Sequence, residues 1–290
     1  MSKLMSLLFE TNAFKVAEEN NPFWYTSGKI GPYFINADYL YGSEQDSKDL
    51  LAFIDQELEN ETKTDIPEHI FKKVLEHYNT NEIYKYVIDQ MKEYIETNIG
   101  VENVDYISGG ERRDWYFSNI MAYLLNKPHV TIYKDLTTVV SNSDFTSSEP
   151  VSLIEGKNFL HLADLLNQSA SFTRAWIPAI ENLGSKILWS IFVIDRMDGG
   201  TQVLTDCGVE VLSLLKINDE LFVKALELGI INEKQLQMLR DFKKDQMGSM
   251  KQFLIDHPEF LEESLNSDNS KTAKRAKLLV EQDLYGLNNN

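Results

Sequence analysis

Residues Lys186–Ile194 read KILWSIFVI, a run too apolar for an edge strand with one face in water. It keeps neither a helical nor an alternating period, so it suits a strand covered on both faces. Such a strand needs partners of its own kind and helices to cover them. The chain supplies both. Val104–Ser108, His129–Lys134 (HVTIYK), Asn158–Ala163 (NFLHLA) and Val209–Leu214 are short apolar or β-branched runs. Asp114–Leu125 and the stretch leading to Leu183 and Gly184 read as helix between them. Strands separated by helices, with glycine at the joins, predict βαβ units and a parallel sheet. The fold class is α/β.

Other segments flank that centre. Lys3–Glu19 reads as a short amphipathic helix, and Phe23–Tyr41 as an aromatic, turn-rich strand region. Residues 44–98 read as three helices. One is opened by Ser47; one covers Ile66–Tyr78, capped by Thr64 or Asp65 with Pro67 in its first turn; one covers Asn81–Asn98, led in by Thr80. Leu136–Val140 reads as a β-hairpin arm. From Asn218 the chain is helical again, punctuated by Gly229, Gly248, Pro258 and the polar stretch Asn266–Ser270, with a frayed end at Asn288–Asn290. The segments divide as 1–43, 44–98, 99–216 and 217–290.

Composition narrows the function. With 43% apolar and 11% aromatic residues, the 290-residue chain can build a substantial core, which excludes a disordered or fibrous protein. Its 28 basic and 45 acidic residues give a net charge of −17. A surface of that sign repels a nucleic-acid polymer or an anionic membrane, but leaves room for a small basic pocket. The single cysteine, Cys207, excludes an intramolecular disulfide and a multi-cysteine zinc site. Of the five histidines only His69 and His77 are close in sequence, and they make a poor metal pair. The N-terminus has no A-x-A-like cleavage site, and no stretch nears the roughly 18 apolar residues of a membrane span. A soluble cytoplasmic protein is expected.

In an open parallel sheet, ligands bind beyond the carboxyl ends of the strands. After Ile107 comes SGGERRDW, where Gly109 and Gly110 permit close backbone approach and Arg112 and Arg113 put charge at a helix start. That is an anion cradle, or a glycine turn with a surface salt-bridge cluster. Lys134 ends the next strand and can reach a phosphate, or is simply solvated. After Leu162, Asp164 suits a sugar hydroxyl or a hydrated Mg²⁺. Asn167, Ser169 and Ser171 then offer helix caps or N–H groups for an anion. After Ile194, Arg196 can clamp a carboxylate or imide, and Gly199-Gly200 permit a tight turn. The segment FWYTSGKIGPYFIN sets aromatic rings beside a TSGK turn: the wall of a pocket for a planar ring, or a hairpin packed on the core.

Taken in order, these segments resemble orotate phosphoribosyltransferase, a member of the type I phosphoribosyltransferase family. The resemblance covers roughly residues 8–215. It implies a parallel-sheet core with an N-terminal hood, the helical insertion 44–98 and the C-terminal helical extension lying partly or wholly outside the common pattern. By resemblance, Lys15 and Lys29 belong to the hood that contacts phosphoribosyl pyrophosphate, and Tyr33 and Phe34 lie against the orotate ring. Gly109, Gly110, Arg112 and Arg113 stand where the family contacts base and pyrophosphate. Lys134 keeps the lysine of an Arg-Lys pair, and Arg196 matches the arginine on the orotate carbonyl side. It also implies Mg²⁺ bridging the diphosphate rather than held in a protein cage, and a homodimer.

The chain departs from the family at its signature. There, two adjacent acids contact the ribose hydroxyls and a Thr-x-Gly-Thr-like loop holds the 5′-phosphate. Here the segment is FLHLADLLNQSAS: Ala163 takes the first acid position, Asp164 keeps the second, Asn167 replaces the threonine and Ser169 the glycine. The family's mobile Lys-x-His-Gly loop has no counterpart, since no lysine, histidine or glycine lies between Asp135 and Glu155. Two readings follow. In one, Lys134 and Asp164 serve phosphoribosyl transfer to orotate; in the other, a catalytically degenerate relative binds a nucleotide or base as a sensor or scaffold.

Overall fold

The computed structural model describes residues 2–287, so the frayed end expected at Asn288–Asn290 lies outside the described residues. In chain order, α1 (Ser2–Glu10) precedes four short strands, β1 (Phe14–Val16), β2 (Phe23–Trp24), β3 (Ile30–Gly31) and β4 (Tyr33–Ile35). A 3₁₀ turn, Ala37–Tyr41, leads to α2 (Glu44–Asn60), α3 (Ile66–Thr80) and α4 (Glu82–Asn98). Then come β5 (Tyr106–Gly110), α5 (Trp115–Leu124), β6 (His129–Ile132), β7 (Thr138–Ser141), β8 (Ser148–Pro150) and β9 (Asn158–Leu166). A π-helical turn, Phe172–Trp176, runs into α6 (Ile177–Asn182), followed by β10 (Lys186–Asp195), α7 (Gly200–Asp206) and β11 (Glu210–Lys216). Five helices close the chain: α8 (Asp219–Glu227), α9 (Glu233–Lys244), α10 (Gln246–Asp256), α11 (Pro258–Leu265) and α12 (Ser270–Glu281). Among the described residues no helix is long and apolar enough to cross a membrane.

The chain forms two compact units that follow contacts rather than chain order. Unit one joins the N-terminal segment through Ala13 to Asn36–Asn218; unit two joins Phe14–Ile35 to the chain from Asp219 onward.

Unit one carries a seven-stranded sheet in the order β11-β10-β9-β5-β6-β7-β8. The first five are parallel, and β7 and β8 add an antiparallel flap. The run that opened the sequence analysis is β10, with parallel neighbours on both sides and Ile191–Ile194 fully buried. The hairpin expected at Leu136–Val140 is the turn between β6 and β7. Pairing of β9 with β10 continues to Leu166↔Asp195, so β9 runs three residues past its expected end and Asp164 lies in the strand itself.

The helices of 44–98 belong to this unit and pack on α5 and the flap. Tyr84 donates to the Tyr116 carbonyl, Tyr116 to that of Ser47 (2.8 Å), and Tyr133 to that of Lys63 (2.6 Å). Phe71 of α3 stacks on Phe145, in the turn between β7 and β8, at 4.6 Å. Asn81 caps α4 by accepting from the N–H groups of Ile83 and Tyr84. Asp65 stands before α3, but its side chain makes no cap bond.

The helix expected over Lys3–Glu19 stops at Glu10. The Thr11 hydroxyl turns back to the Leu7 carbonyl (2.7 Å), Asn12 takes a positive φ of 59°, and Phe14–Val16 instead pairs with β4.

Unit two binds its aromatic strand segment to helices far along the chain. Trp24 stacks on Phe260 at 5.6 Å, Arg275 donates to the Trp24 carbonyl (3.0 Å), and the Ile30 N–H donates to the Tyr285 hydroxyl (3.0 Å). Gly248, read as a break, sits inside α10. The break falls at Asp245, whose carboxylate accepts from the Gly248 N–H (2.8 Å).

Candidate active site

The parallel strands, numbered by their place in the chain, lie in the order second, first, third, fourth, fifth. Strand order therefore reverses between β5 and β9, and a doubly wound sheet opens a crevice at the carboxyl ends there. A cleft of about 470 Å³ occupies that place. Its lining comprises Glu111–Asp114 after β5, Lys134 after β6, and Ala163–Phe172 from the end of β9, with Trp176 and Phe192. Seven residues singled out from the sequence thus come together: Arg112, Arg113, Lys134, Asp164, Asn167, Ser169 and Ser171.

The basic side chains are each held by an acid. Arg112 pairs with Asp55 of α2. Arg113 Nε lies 3.2 Å from Asp38 Oδ2, and Asp38, buried, also accepts from the Ser47 hydroxyl (2.5 Å). Lys134 Nζ lies 3.2 Å from Glu111 Oε1, while its N–H donates to Glu111 Oε2 (3.1 Å). Burial opposes the Arg113 charge, but Asp38 and Asp164 outweigh it and raise its pKa. Asp164 responds the other way. Burial, then the negative charges of Asp114 and Asp38, push its carboxyl up to about 7 against the pull of Arg113.

A polar chain runs behind the cleft. Asp114 Oδ2 accepts from the Gly110 N–H (3.1 Å) and lies 3.5 Å from His161 Nε2; His161 Nδ1 sits 3.0 Å from the Ser108 hydroxyl. Asp114 and Asp38 were not read as site residues from the sequence. Asp114 carried a signal, an acid beside two arginines at the helix start after a central strand. Asp38 lies far from the motif in sequence and carried none.

The two glycines have a different use from the one read from sequence. A Cβ on Gly109 would stand 2.2 Å from Ser118 Oγ, and one on Gly110 2.3 Å from Trp176 Cε2. Their missing side chains admit packed protein groups, and the cleft lining starts one residue later.

The turn after β9 is shaped by its contact with α7. Ser169 takes φ +59° and donates its hydroxyl to the Gly200 carbonyl (3.1 Å); a Cβ on Gly200 would meet the Asn167 carbonyl oxygen at 2.1 Å. Ser171 stands at the head of the π-helical turn, but its side chain makes no cap bond.

Arg196 follows β10 beside this cleft without lining it. Its N–H donates to the Leu166 carbonyl (3.0 Å), and its guanidinium Nε lies 3.1 Å from Asp198. The buried Asp195 accepts from the Met197 N–H (2.7 Å) and the Thr201 hydroxyl (3.0 Å), closing that turn on itself.

Lys15, Lys29, Tyr33 and Phe34 belong to unit two. Lys15 faces Phe34 in the β1–β4 register, and Lys29 is exposed in the turn before β3. Tyr33 is fully buried, its ring 5.5 Å from those of both Phe14 and Phe242, so it is core of that unit rather than a wall open to a planar ligand. Alternation along a strand turns Phe34 the other way, and its ring is exposed.

A mostly parallel sheet of this order, with an antiparallel flap and a polar cleft at the switch point, is the α/β fold of the type I phosphoribosyltransferases. In sequence and in fold the chain is similar to orotate phosphoribosyltransferases. No protein-family model matches it. A similar curated protein is the orotate phosphoribosyltransferase of Sulfolobus acidocaldarius, 21% identical over 170 residues, which cover 59% of this chain and 81% of that one. Among solved structures, orotate phosphoribosyltransferase from Francisella tularensis superposes with a TM-score of 0.53 at 14% identity, covering 83% of this chain and 98% of that one. UMP synthase of Leishmania donovani gives 0.55 at 13% identity, covering 83% of this chain; the match spans only 41% of the Leishmania protein.

Proposed function

We propose that the chain is a phosphoribosyltransferase that moves the phosphoribosyl group of phosphoribosyl pyrophosphate onto the pyrimidine base orotate. The observation that carries this reading is the convergence of Arg112, Arg113, Lys134 and Asp164 on one cleft at the switch point of the sheet. A ring nitrogen of orotate, its proton passing to solvent, bonds to C1 of the ribose. The bond from C1 to pyrophosphate breaks, and its electron pair leaves with pyrophosphate, giving orotidine 5′-phosphate. Arg112, Arg113 and Lys134 stabilise the charge gathering on the leaving group once diphosphate oxygens replace their present carboxylate partners. Asp164 orients a ribose hydroxyl, and the turn from Asn167 to Ser171 presents backbone N–H groups to the 5′-phosphate.

Mg²⁺ enters this reading on the diphosphate, where it offsets leaving-group charge; among the described residues no group of three or more His, Cys, Asp or Glu is placed to hold a metal ion. By resemblance Arg196, in the same unit as the cleft, serves the base, and the protein is a homodimer.

Two observations favour a second reading, in which the cleft binds a phosphorylated sugar or nucleotide without turnover. Ser169 carries a side chain in the turn meant for close phosphate approach, and the flap has no lysine, histidine or glycine from Leu136 to Ile154. Full-length protein mixed with orotate, phosphoribosyl pyrophosphate and Mg²⁺ separates the two. Loss of orotate absorbance in the wild type, abolished in Arg113→Ala, supports transfer. No loss at high protein concentration, with phosphoribosyl pyrophosphate still raising the melting temperature, rejects transfer and leaves the binding role.

A further inference from the structure

His161 is fully buried on β9, and its Nε2 makes no hydrogen bond among the described residues. A buried ring nitrogen left in that state is costly unless the structure uses it. The ring cannot turn away. Phe172 meets it edge-on at 4.7 Å, Trp176 lies roughly parallel at 6.4 Å, and Nδ1 is engaged with the Ser108 hydroxyl at 3.0 Å, on the residue directly across the β5–β9 register. The group Nε2 faces is Asp114 Oδ2, at 3.5 Å, just beyond hydrogen-bond length. Asp114 is also tethered by the Gly110 N–H and lines the same cleft as Asp164.

We infer that His161 is a positioning residue that holds Asp114, and that Asp114 and Asp164 together grip the vicinal hydroxyls of a phosphorylated pentose in the cleft. Two carboxylates facing one small volume are the acceptors a pair of adjacent hydroxyls needs, each O–H donating to its own carboxylate. Asp114 and Asp164 both line the cleft of about 470 Å³, so one small ligand there can meet both carboxylates. A sugar hydroxyl donating to Asp114 would draw the carboxylate into a fixed position, with His161 Nε2 as its inner anchor. The inference rests on the phosphoribosyl reading of the cleft and supplies, from the turn after β5, a second carboxylate in a cleft where β9 contributes Asp164 alone.

The test is calorimetric titration of the full chain with ribose 5-phosphate, 2-deoxyribose 5-phosphate and the 3-deoxy analogue. Wild type should prefer the parent sugar over each deoxy compound by about 10–100-fold, the range of a hydrogen bond to a charged group. Asp114→Asn should erase the preference against one of the two deoxy sugars and keep the other. His161→Leu should weaken that same preference, and His161→Gln, which can still donate to Asp114, should restore it; a purely structural role for the histidine would not track one hydroxyl. Should His161→Leu fail to fold, Asp114→Asn decides alone. Both preferences unchanged in Asp114→Asn overturn the inference while the phosphoribosyl reading stands. No binding of ribose 5-phosphate to wild type overturns that reading and the inference with it.

Discussion

Two turns leave the parallel strands at the cleft, and they are built in opposite ways. In Glu111–Asp114 every residue is charged and every charge is matched: Glu111 by Lys134, Arg112 by Asp55, Arg113 by Asp38, and Asp114 by the Gly110 N–H with His161 behind it. The turn Asn167–Ser171 has no charged side chain; it is held by the Ser169 hydroxyl on Gly200 and by the close fit of Gly200 beneath Asn167. An anion therefore meets two kinds of resistance. At the first turn it must displace a carboxylate from each cation, which sets affinity by exchange. At the second it finds backbone whose shape is fixed by packing, so affinity depends on geometry. On the proposed reading, a chain with a net charge of −17 holds a phosphorylated ligand by exchange, its acids near the cleft being partners that the ligand replaces.

The largest effect expected is from Arg113→Ala, which breaks the charged turn at its pair with the buried Asp38. Asp38 would keep its charge in a buried place with only the Ser47 hydroxyl, so stability should fall by about 2–4 kcal/mol in urea unfolding. Pyrophosphate affinity should fall at least tenfold; a loss of stability with affinity intact would show that this arginine is structural alone.

Gly200→Ala strikes the uncharged turn. The added Cβ meets backbone that no rotamer change can move, and overpacking of that kind costs about 1–3 kcal/mol. Phosphate binding should weaken with it, whereas the Arg112–Asp55 and Arg113–Asp38 pairs should be untouched. A variant as stable as wild type would mean the turn after β9 adapts freely, and the contrast between the turns would go.

Asp164→Asn gives the smallest effect and a pH signature. With its folded pKa raised to about 7 from an ordinary 3.8, Asp164 holds its proton more tightly folded than unfolded. Its contribution to stability is present below the unfolded value and is lost as pH rises towards 7. The asparagine variant should match wild type near pH 4 and gain on it as the pH rises through 7, read as melting temperature against pH. A constant offset between the two curves would place no proton on Asp164.

The sheet was legible because its strands announce themselves. KILWSIFVI can be little else, and HVTIYK and NFLHLA carry the same β-branched and aromatic bias. The strand ends likewise exposed Arg112, Arg113, Lys134 and Asp164, since loops beyond parallel strands converge by topology. What was hidden depends on contacts distant in sequence. Nothing near Asp38 says that it will meet Arg113, and nothing in the aromatic segment Phe23–Ile35 says that it shares a compact unit with helices beyond Asp219. The doublet Gly109-Gly110 misled for a related reason. A glycine pair admits either a ligand or a neighbour, and which one arrives, here Ser118 and Trp176, is decided by side chains of other elements. Tyr33 and Phe34 looked equivalent as rings, yet strand alternation buries one and exposes the other.

Calorimetric titration of phosphoribosyl pyrophosphate with Mg²⁺ into the full chain bears most directly on the cleft as a phosphoribosyl site. One ligand should bind per chain, and Arg112→Ala/Arg113→Ala, shown to be folded by circular dichroism, should bind at least tenfold more weakly. Equal affinity in the double variant, or no binding to the wild type, would contradict it.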